Sequence, residues 1–383
     1  MANLLPNIGA PGPDALYPLV VWFCHKCLLV QLEEFQSPDE IFADYPYLSS
    51  YSSTWLDHTR AYATEVIDRL SLCSENFVVE LASNDGHLLR NFVASGCRVM
   101  GVEPAANVAE IAKEHGVPTR TEFFGALTAA KLRVDEGGAD LVVANNVLAH
   151  VPDLHDFIEG IRLLLAPAGT VTIEFPHLLS LIAHCQFDTI YHEHFSYFSL
   201  YSARAVLAAH GLRVYHVQHL PTHGGSLRLW LCHEQAALSS TGTVEAVLAE
   251  ERAAGMQEAR SYHGFGTRVA AVREQLRAAL DGVLSNGRTI AGYGAPAKAC
   301  TLLNYCGVGP DILPFTVDAN PLKQGRMIPG VRVPIYTPTR LEEEPVDVVF
   351  VLAWNLRAEI SRLLEQHRKR PHLLFYQPAV ELV

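Results

Sequence analysis

Short apolar runs alternate with longer amphipathic stretches from about residue 75 to the end of the chain. The runs predict β-strands at Phe77–Leu81, at Arg98–Val102 and at residues 140–144 and 170–175. The stretches between them have apolar positions at helical spacing, and strands that alternate with helices form βαβ units. The pattern therefore predicts an α/β fold with a parallel sheet, whereas residues 1–70 are irregular and rich in Pro, Tyr and Ser.

The second half of the chain shows two further patterns. Runs at residues 212–219 and 226–232 are joined by the turn sequence Pro221-Thr-His-Gly-Gly225, which predicts an antiparallel pair. Residues 243–285 have helical spacing and predict a connecting helix or helix pair, after which a second alternation of strands and helices begins. We therefore expect four segments: an irregular N-terminal lobe (1–70), a Rossmann-like domain (71–240), a helical connector (241–286) and a second Rossmann-like domain (287–383).

Composition and charge exclude several classes of protein. With 49% apolar and 18% charged residues the chain can bury large cores, which excludes intrinsic disorder. The 29 basic and 41 acidic side chains give a net charge of −12, and no block of Lys or Arg occurs, so nucleic acid is not an expected partner. No apolar run is long enough to span a membrane, and residues 1–25 lack the Lys or Arg of a secretory signal, so we expect a cytoplasmic protein.

The turn after the first predicted strand is acidic. Its sequence is Val78-Val-Glu-Leu-Ala-Ser-Asn-Asp-Gly86, which has neither the Gly-x-Gly-x-x-Gly pattern of dinucleotide sites nor the Lys of a phosphate loop. In open α/β sheets such turns bind ligands, but this one would repel a pyrophosphate. It suits a ligand with an ammonium or sulfonium charge.

The ends of the following strands complete this site. The Glu103-Pro104 pair lies about 20 residues after the first turn, where an acidic side chain binds ribose hydroxyls. A strand predicted to reach residues 121–124 offers an acceptor and an aromatic wall for adenine, and the fourth strand ends in Asn145-Asn146. Together these features predict a site for S-adenosylmethionine (SAM). The predicted cofactor-binding residues are Glu80, Asn84, Asp85, Gly86, Glu103, Pro104, Glu122, Phe123, Asn145 and Asn146.

The sequence resembles a known family over nearly its whole length. The motifs that carry the resemblance are Glu80-Leu-Ala-Ser-Asn-Asp-Gly86, Ala144-Asn-Asn-Val-Leu-Ala-His-Val-Pro152, Phe187-Asp-Thr-Ile-Tyr-His-Glu-His-Phe195, Leu220-Pro-Thr-His-Gly-Gly-Ser226, Gly292-Tyr-Gly-Ala-Pro-Ala-Lys298 and Val317-Asp-Ala-Asn-Pro-Leu-Lys-Gln-Gly325. They resemble the SAM-dependent C-methyltransferases that act on nucleotide-diphosphate 4-keto sugars in deoxysugar biosynthesis. The resemblance implies a zinc-binding N-terminal lobe, a SAM-binding middle domain and a C-terminal domain that helps to enclose the sugar nucleotide.

Methylation of a carbon next to a ketone needs a base with a pKa near neutral, and histidine is the leading type. The resemblance implies that His194 is this base, with Tyr191 and Glu193 as neighbours that position it or the sugar. We expect His150 to be a second group that handles a proton or contacts the enolate. The chain has 18 histidines, so a chance histidine near any site is common.

Substrate contacts are predicted in three places, and each has an alternative explanation. The Tyr- and Ser-rich segment with Tyr45, Tyr47, Ser49 and Ser50 either contacts sugar and phosphate or is only surface. His223 lies in the turn between the antiparallel strands, where it could face the sugar. In the second Rossmann-like domain, Lys298, Asp318 and Lys323 either bind the substrate's diphosphate or base or belong to a unit kept for packing.

The resemblance implies that Cys24 and Cys27 are one half of a zinc site. A closed structural site needs four ligands, and the resembled family has another Cys-x-x-Cys pair upstream that this sequence does not include. We therefore expect less than stoichiometric zinc.

Two other functions remain open at this stage. One is SAM-dependent O- or N-methylation of a small metabolite, and the other is binding of a nucleotide sugar without catalysis. The Tyr-x-Glu-His group favours carbon methylation, because hydroxyl or amine methylation does not require deprotonation of carbon.

Overall fold

The computed structural model describes residues 2–42, 48, 50 and 53–383, which form two compact units. The seven-stranded unit comprises Val21–Leu179 and His194–Ala259. The six-stranded unit comprises Met1–Val20, Ser180–Glu193 and Arg260–Val383. Each unit is thus built from separate stretches of chain, and the predicted segment boundaries at residues 70, 240 and 286 do not coincide with the boundaries of the units.

The seven-stranded unit takes its name from its main sheet. Its strands are β1 (Val21–Phe23), β2 (Val30–Leu32), β3 (Phe77–Leu81), β4 (Arg98–Val102), β5 (Thr119–Arg120), β6 (Ala139–Asn145), β7 (Leu165–Pro176), β8 (Ser196–Tyr197), β9 (Leu212–Leu220) and β10 (Ser226–His233). The main sheet has the order β5-β4-β3-β6-β7-β10-β9, in which β5 to β7 are parallel and β10 and β9 are antiparallel. A small sheet has the order β1-β2-β8. The predicted parallel strands and the predicted antiparallel pair are confirmed.

Helices cover both faces of the main sheet. The helices of this part of the chain are α1 (Pro38–Phe42), α2 (Ser53–Leu70), α3 (Leu89–Ala94), α4 (Ala106–Glu114), α5 (Ala126–Glu136), α6 (Leu154–Leu164), α8 (Leu200–Ala209) and α9 (Gly242–Ala253), and α7 (Leu178–Ala183) starts at the end of this unit and belongs mostly to the six-stranded unit. Because both faces are buried, neighbouring side chains of β3 enter different cores: Val78 joins one, and Val79 and Leu81 join the other. Glu80 is buried among these apolar positions, and a buried carboxylate in a strand indicates a functional role.

The prediction that the strand after α4 reaches residues 121–124 is wrong. β5 ends at Arg120, after two residues that pair with Gly101 and Val102. The chain then leaves the sheet, and Phe124 packs edge-on against Phe157 of α6 with ring centroids 5.4 Å apart. The predicted adenine contacts therefore lie on a loop.

The six-stranded unit is a second α/β layer structure. Its elements are α10 (Arg260–His263), α11 (Phe265–Ser285), β11 (Ile290–Tyr293), α12 (Ala297–Cys306), β12 (Thr316–Val317), β13 (Ile335–Tyr336), α13 (Arg340–Glu343), β14 (Val348–Val351), α14 (Arg357–Glu365), β15 (His372–Phe375) and β16 (Glu381–Leu382). The sheet order is β13-β12-β11-β14-β15-β16, and only β16 is antiparallel to its neighbour.

The predicted helical connector is a pair of helices, α9 and α11, with the short helix α10 between them. α9 belongs to the seven-stranded unit and α11 to the six-stranded unit. Within the described chain, no helix combines the length and the apolar character needed to cross a bilayer.

Candidate active site

The acidic turn after β3 is tightly folded. Ala82 and Asn84 have left-handed backbone conformations with φ of 52° and 50°, and Gly86 has φ of 74°. Such conformations cost non-glycine residues free energy and are concentrated at functional sites. A Cβ atom on Gly86 would lie 2.9 Å from Cγ2 of Val117, so this position also needs a glycine for space.

Glu103, at the end of β4, holds this turn from the neighbouring strand. Its Oε2 accepts the backbone N–H of Asn84 and its Oε1 accepts that of Ala105, both at 2.9 Å. Burial raises the pKa of the Glu103 carboxyl, and the two backbone amides oppose that rise. A carboxylate oxygen can accept more than one hydrogen bond, so Glu103 retains acceptor capacity.

Two further carboxyl groups face the same turn. Glu80 is 4% exposed, and within the described residues its Oε2 has no hydrogen-bond partner. Burial, together with the charges of Asp85 and Glu103, raises the pKa of Glu80 well above its usual value. For Asp85, burial alone would raise the pKa, but hydrogen bonds from His87 and Ser50 lower it to about 2. A cationic ligand would relieve the repulsion among these three carboxyl groups.

Asn145 and Asn146 carry unsatisfied polar atoms at the end of β6. Oδ1 of Asn145 and both side-chain polar atoms of Asn146 are buried without a partner in the part of the chain that the structure describes. Asn146 has φ of 57°, and its backbone N–H donates to the carbonyl oxygen of Glu174 at 2.7 Å. Buried polar atoms are almost always hydrogen-bonded in complete sites, so these amides fit a polar ligand at this edge of the sheet.

The other predicted cofactor residues lie beside this edge or on the loop after β5. Pro104 is half-buried directly after Glu103. Oε2 of Glu122 accepts the hydroxyl of Thr128 at 3.3 Å, and Phe123 is 40% exposed. Unlike the acidic turn, this loop shows no buried polar atom that points to a ligand among the described residues.

His150 and His194 lie together in the seven-stranded unit. His150 ends the 3-10 turn Leu148–His150 after β6, and its ring meets that of His194 edge-on, with centroids 4.7 Å apart. The backbone N–H of Phe195 donates to the carbonyl oxygen of Ala149 at 2.7 Å, which fixes the two segments in register. Both histidines are half-buried. The geometry thus brings together two of the four predicted catalytic residues.

Tyr191 and Glu193 belong to the stretch of the motif that is part of the six-stranded unit. Oε1 and Oε2 of Glu193 accept the backbone and side-chain N–H groups of Asn3 at 3.0 and 2.8 Å. Burial raises the pKa of Glu193, and Asn3 and Lys323 oppose the rise. The carboxyl group is 1% exposed, whereas Tyr191 is half-buried.

A cluster around Glu174, near the end of β7, was not predicted from the sequence. His58 of α2, Arg228 of β10 and Thr222 all contact its carboxylate. His223, which we predicted as a sugar contact, lies next to Thr222 with φ of 53°. The signal in the sequence was a charged residue inside an otherwise apolar strand, because a charge that deep needs partners.

The predicted substrate residues are distributed as follows. Tyr45, Tyr47 and Ser49 lie outside the described residues, and the backbone N–H of Ser50 donates to Oδ2 of Asp85 at 3.2 Å.

In the six-stranded unit the lysine side chains are buried and already engaged. Lys298 donates to Oδ1 of Asn355 at 3.0 Å, and its ammonium nitrogen lies 4.8 Å from the centre of the Trp354 ring. Lys323 donates to the carbonyl oxygen of Ala295 at 2.9 Å, and Oδ2 of Asp318 accepts the backbone N–H of Ala295 at 2.7 Å.

Cys24 and Cys27 lie in the loop between β1 and β2. The backbone N–H of Cys24 donates to the carbonyl oxygen of Leu29, and Leu28 has φ of 60°. Among residues that the structure describes, no group of three His, Cys, Asp or Glu side chains is arranged to hold a metal ion. The expectation of low zinc content remains a prediction.

Comparison with known proteins identifies the family. Residues 55–217 match a methyltransferase domain family, and residues 221–376 match the family described as C-methyltransferase C-terminal domain. The chain is 39% identical over 358 residues to the C-methyltransferase NovU of Streptomyces niveus, in a match that covers 94% of this chain and 85% of NovU. The chain belongs to the C-methyltransferase family.

This C-methyltransferase also resembles solved structures at low identity. The SAM-bound magnesium protoporphyrin IX methyltransferase of Synechocystis PCC 6803 is 15% identical, with a TM-score of 0.36 and coverage of 46% of this chain and 79% of that chain. The PH0226 protein of Pyrococcus horikoshii is 14% identical, with a TM-score of 0.41 and coverage of 52% and 99%.

Family membership confirms the predicted enzyme class. The protein is a SAM-dependent C-methyltransferase with a Rossmann-like methyltransferase domain, so carbon is the methyl acceptor rather than oxygen or nitrogen. The acidic turn and the unsatisfied asparagines agree with a cationic, polar methyl donor.

Proposed function

We propose that this C-methyltransferase methylates the carbon next to the ketone of a deoxysugar linked to a nucleotide diphosphate, and that His194 is the base. The observation that carries the proposal is the contact between the rings of His150 and His194, 4.7 Å apart. Transfer to such a carbon requires removal of its proton, and two adjacent imidazoles supply both a proton acceptor and a partner for the enolate.

We propose that the carboxyl edge of β3, β4 and β6 binds SAM. Glu103 would accept hydrogen bonds from the ribose hydroxyls, and Glu122 and Phe123 would contact the adenine. The acidic turn with Glu80, Asn84, Asp85 and Gly86, together with Asn145 and Asn146, would hold the amino-acid and sulfonium end. When bound, SAM supplies an electrophilic methyl group.

His194 acts as the general base in this mechanism. Its neutral imidazole takes the proton from the substrate carbon, and the electron pair of the broken C–H bond moves onto the ketone oxygen as an enolate. His150 donates a hydrogen bond to that oxygen and so stabilises the charge. The proton stays on His194 until the methylated product leaves, and Tyr191 and Glu193 position the base or the sugar.

The nucleotide end of the substrate is assigned to the six-stranded unit. Lys298 is in the first turn of α12, which follows β11, whereas Asp318 directly follows β12 and Lys323 lies on the loop after it. This is the edge at which α/β sheets bind nucleotides. Both ammonium groups already have partners within this unit, so the alternative role of these lysines is packing. Tyr45, Tyr47, Ser49, Ser50 and His223 are proposed as sugar or phosphate contacts.

The test is to incubate the enzyme with SAM and a panel of dTDP-4-keto-deoxysugars and to follow product mass. We expect one added CH₂ unit, and SAM with an isotopically labelled methyl group locates the new carbon–carbon bond by NMR. The matched control is the same nucleotide sugar reduced to a 4-hydroxyl, which has no acidified C–H bond and should not react. A methyl group found on oxygen, or turnover of the reduced sugar, contradicts the proposal.

A further inference from the structure

The carboxylate of Glu174 is the centre of a buried charged cluster beside the proposed SAM site. Glu174 faces Asn145 in the register of β7 and β6, and its side chain is fully buried. Nη2 of Arg228 donates to its Oε2 at 3.0 Å, and the hydroxyl of Thr222 donates to Oε1 at 3.0 Å. Burial alone would raise the pKa of Glu174, but His58 and Arg228 lower it to about 2, so it is an anion at neutral pH.

His58 is the third partner of this carboxylate. Its Nε2 lies 3.2 Å from Oε2 of Glu174 and 3.4 Å from Nη2 of Arg228, and we assign the hydrogen to Nε2 because the lone pair of an unprotonated nitrogen would repel the nearer carboxylate. Nδ1 is then an acceptor, and no group among the described residues hydrogen-bonds to it. The side chain is 19% exposed, so the ring is not sealed from solvent. A buried carboxylate that fixes one nitrogen of an imidazole and leaves the other accessible is the arrangement that orients functional histidines.

Trp55 fixes the plane of the His58 ring and connects it to the acidic turn. The two rings are stacked at 28° with centroids 5.0 Å apart, and the centroid of His223 lies 5.4 Å from that of Trp55. Nε1 of Trp55 donates to Nε2 of His87 at 3.1 Å, and Nδ1 of His87 lies 3.0 Å from Oδ1 of Asp85. His58 is therefore held against the same turn that the proposed function assigns to SAM, by one continuous set of contacts.

We propose that His58, oriented by Glu174, is a substrate-binding residue whose Nδ1 accepts a hydrogen bond from a ring hydroxyl of the sugar. The inference rests on the proposed function, because it takes the acceptor to be a hydroxylated sugar. Parallel α/β sheets bind ligands across the carboxyl ends of adjacent strands, and β7 is the strand next to β6 on the side away from β3 and β4. A substrate next to SAM at β6 thus extends toward β7 and His58.

Two amide variants separate this role from a structural one. In His58→Asn the amide occupies the position of Nδ1 and loses the contact with Glu174, whereas in His58→Gln it reaches the position of Nε2 and loses the substrate contact. For a dTDP-4-keto-deoxysugar that wild type methylates, we expect kcat/KM to fall about 100-fold in His58→Gln, mainly through KM, and only about 3- to 10-fold in His58→Asn. SAM affinity by calorimetry should be close to wild type in both, the thermal midpoint should fall only in His58→Asn, which loses the contact with Glu174, and the exposed His115→Gln is the control.

A substrate pair that differs by one ring hydroxyl gives a second readout. Loss of the hydroxyl that Nδ1 binds should reduce kcat/KM of wild type by the same factor as His58→Gln, and should cause no further loss in that variant. The proposal is overturned if His58→Gln is more active than His58→Asn, which indicates a structural role, or if both are inactive with SAM binding intact, which indicates proton transfer. Full activity of both variants also overturns it. Failure of wild type to methylate any keto sugar instead refutes the proposed function.

Discussion

Glu103 has two roles, because the carboxylate that we propose to bind the ribose of SAM also accepts two backbone N–H groups of the loops that form the site. Glu103→Ala should weaken SAM binding by about 1.5–3 kcal/mol, the range for a hydrogen bond with a charged group. Calorimetry with SAM measures the loss. Glu103→Gln keeps one carbonyl acceptor and should lose less, and the exposed Glu110→Ala is the control. Unchanged affinity in Glu103→Ala would remove Glu103 from the ribose site.

His194 should be the side chain on which turnover depends most. His194→Asn or Ala should reduce kcat by about 10²–10⁴-fold, the contribution of a positioned general base. SAM affinity should hardly change, and solvent deuterium should enter the substrate's α-position more slowly, if wild type catalyses such exchange. His150→Asn should lose less, because it only contacts the enolate. If the His150 variant is inactive while the His194 variant turns over normally, the two roles must be exchanged.

At the scale of single residues, the sequence predicted the groups that lie at the ends of strands and missed those brought together by long-range contacts. Glu80 and Asn145 could be found because β-strand patterning places them at one edge of the sheet. His58, Thr222 and Arg228 reach Glu174 from 116, 48 and 54 residues away along the chain, and no spacing rule connects such positions.

At the scale of elements, the carboxylate of Glu174 connects β7 to Arg228 of β10 and to His58 of α2. The stability that these contacts contribute should depend on pH. The folded-state pKa of Glu174 is about 2, below the usual 4.5, so its contribution to stability is complete above pH 4.5 and is lost as the pH falls toward 2. Glu174→Gln should therefore lower the thermal midpoint by a constant amount from pH 7 to about 5, and the gap to wild type should narrow in more acidic buffer. A gap that does not change down to pH 3 would show that the ion pair does not contribute.

The loop between β1 and β2 has two thiols, and within the described ranges no third His, Cys, Asp or Glu side chain is arranged with them to hold a metal ion. Tight zinc binding usually needs four ligands. Elemental analysis of the purified 383-residue chain should therefore find well under one zinc per chain. The variant with both Cys24→Ser and Cys27→Ser should have the same zinc content. One zinc per wild-type chain that is absent from the double variant would contradict the prediction and would require ligands from elsewhere.

The bounds of strands with a clear apolar pattern were predicted within one or two residues, whereas those of strands with a weak pattern were not. β3 and β4 have the predicted bounds, because continuous apolar runs bounded by turns define buried strands. β5 is only two residues long, and its end is set by the packing of Phe124 rather than by local preference.

At the scale of the whole molecule, the order of segments along the chain differs from their grouping in space. The main core of the six-stranded unit contains side chains from all three of its stretches, including Leu5, Phe187, Leu276 and Leu280. None of these four residues lies within 287–383, the segment that sequence patterning predicted as a separate domain. Helical and strand periodicity report which face of an element is buried but not which distant segment covers it.

A fragment of residues 287–383 should consequently fail to fold cooperatively. In the full chain Leu276 and Leu280 of α11 are fully buried and Phe187 is 4% exposed. Burial of such a side chain contributes about 1.5–3 kcal/mol, so losing these three removes roughly 5–9 kcal/mol, which is comparable to the whole stability of a typical domain. Circular dichroism and urea titration of the fragment should show little native helix and no sigmoidal transition. A fragment of residues 260–383 regains α11 and should be more helical, although it still lacks Leu5 and Phe187. A cooperative transition of the shorter fragment would show that the second Rossmann-like segment is an independent domain after all.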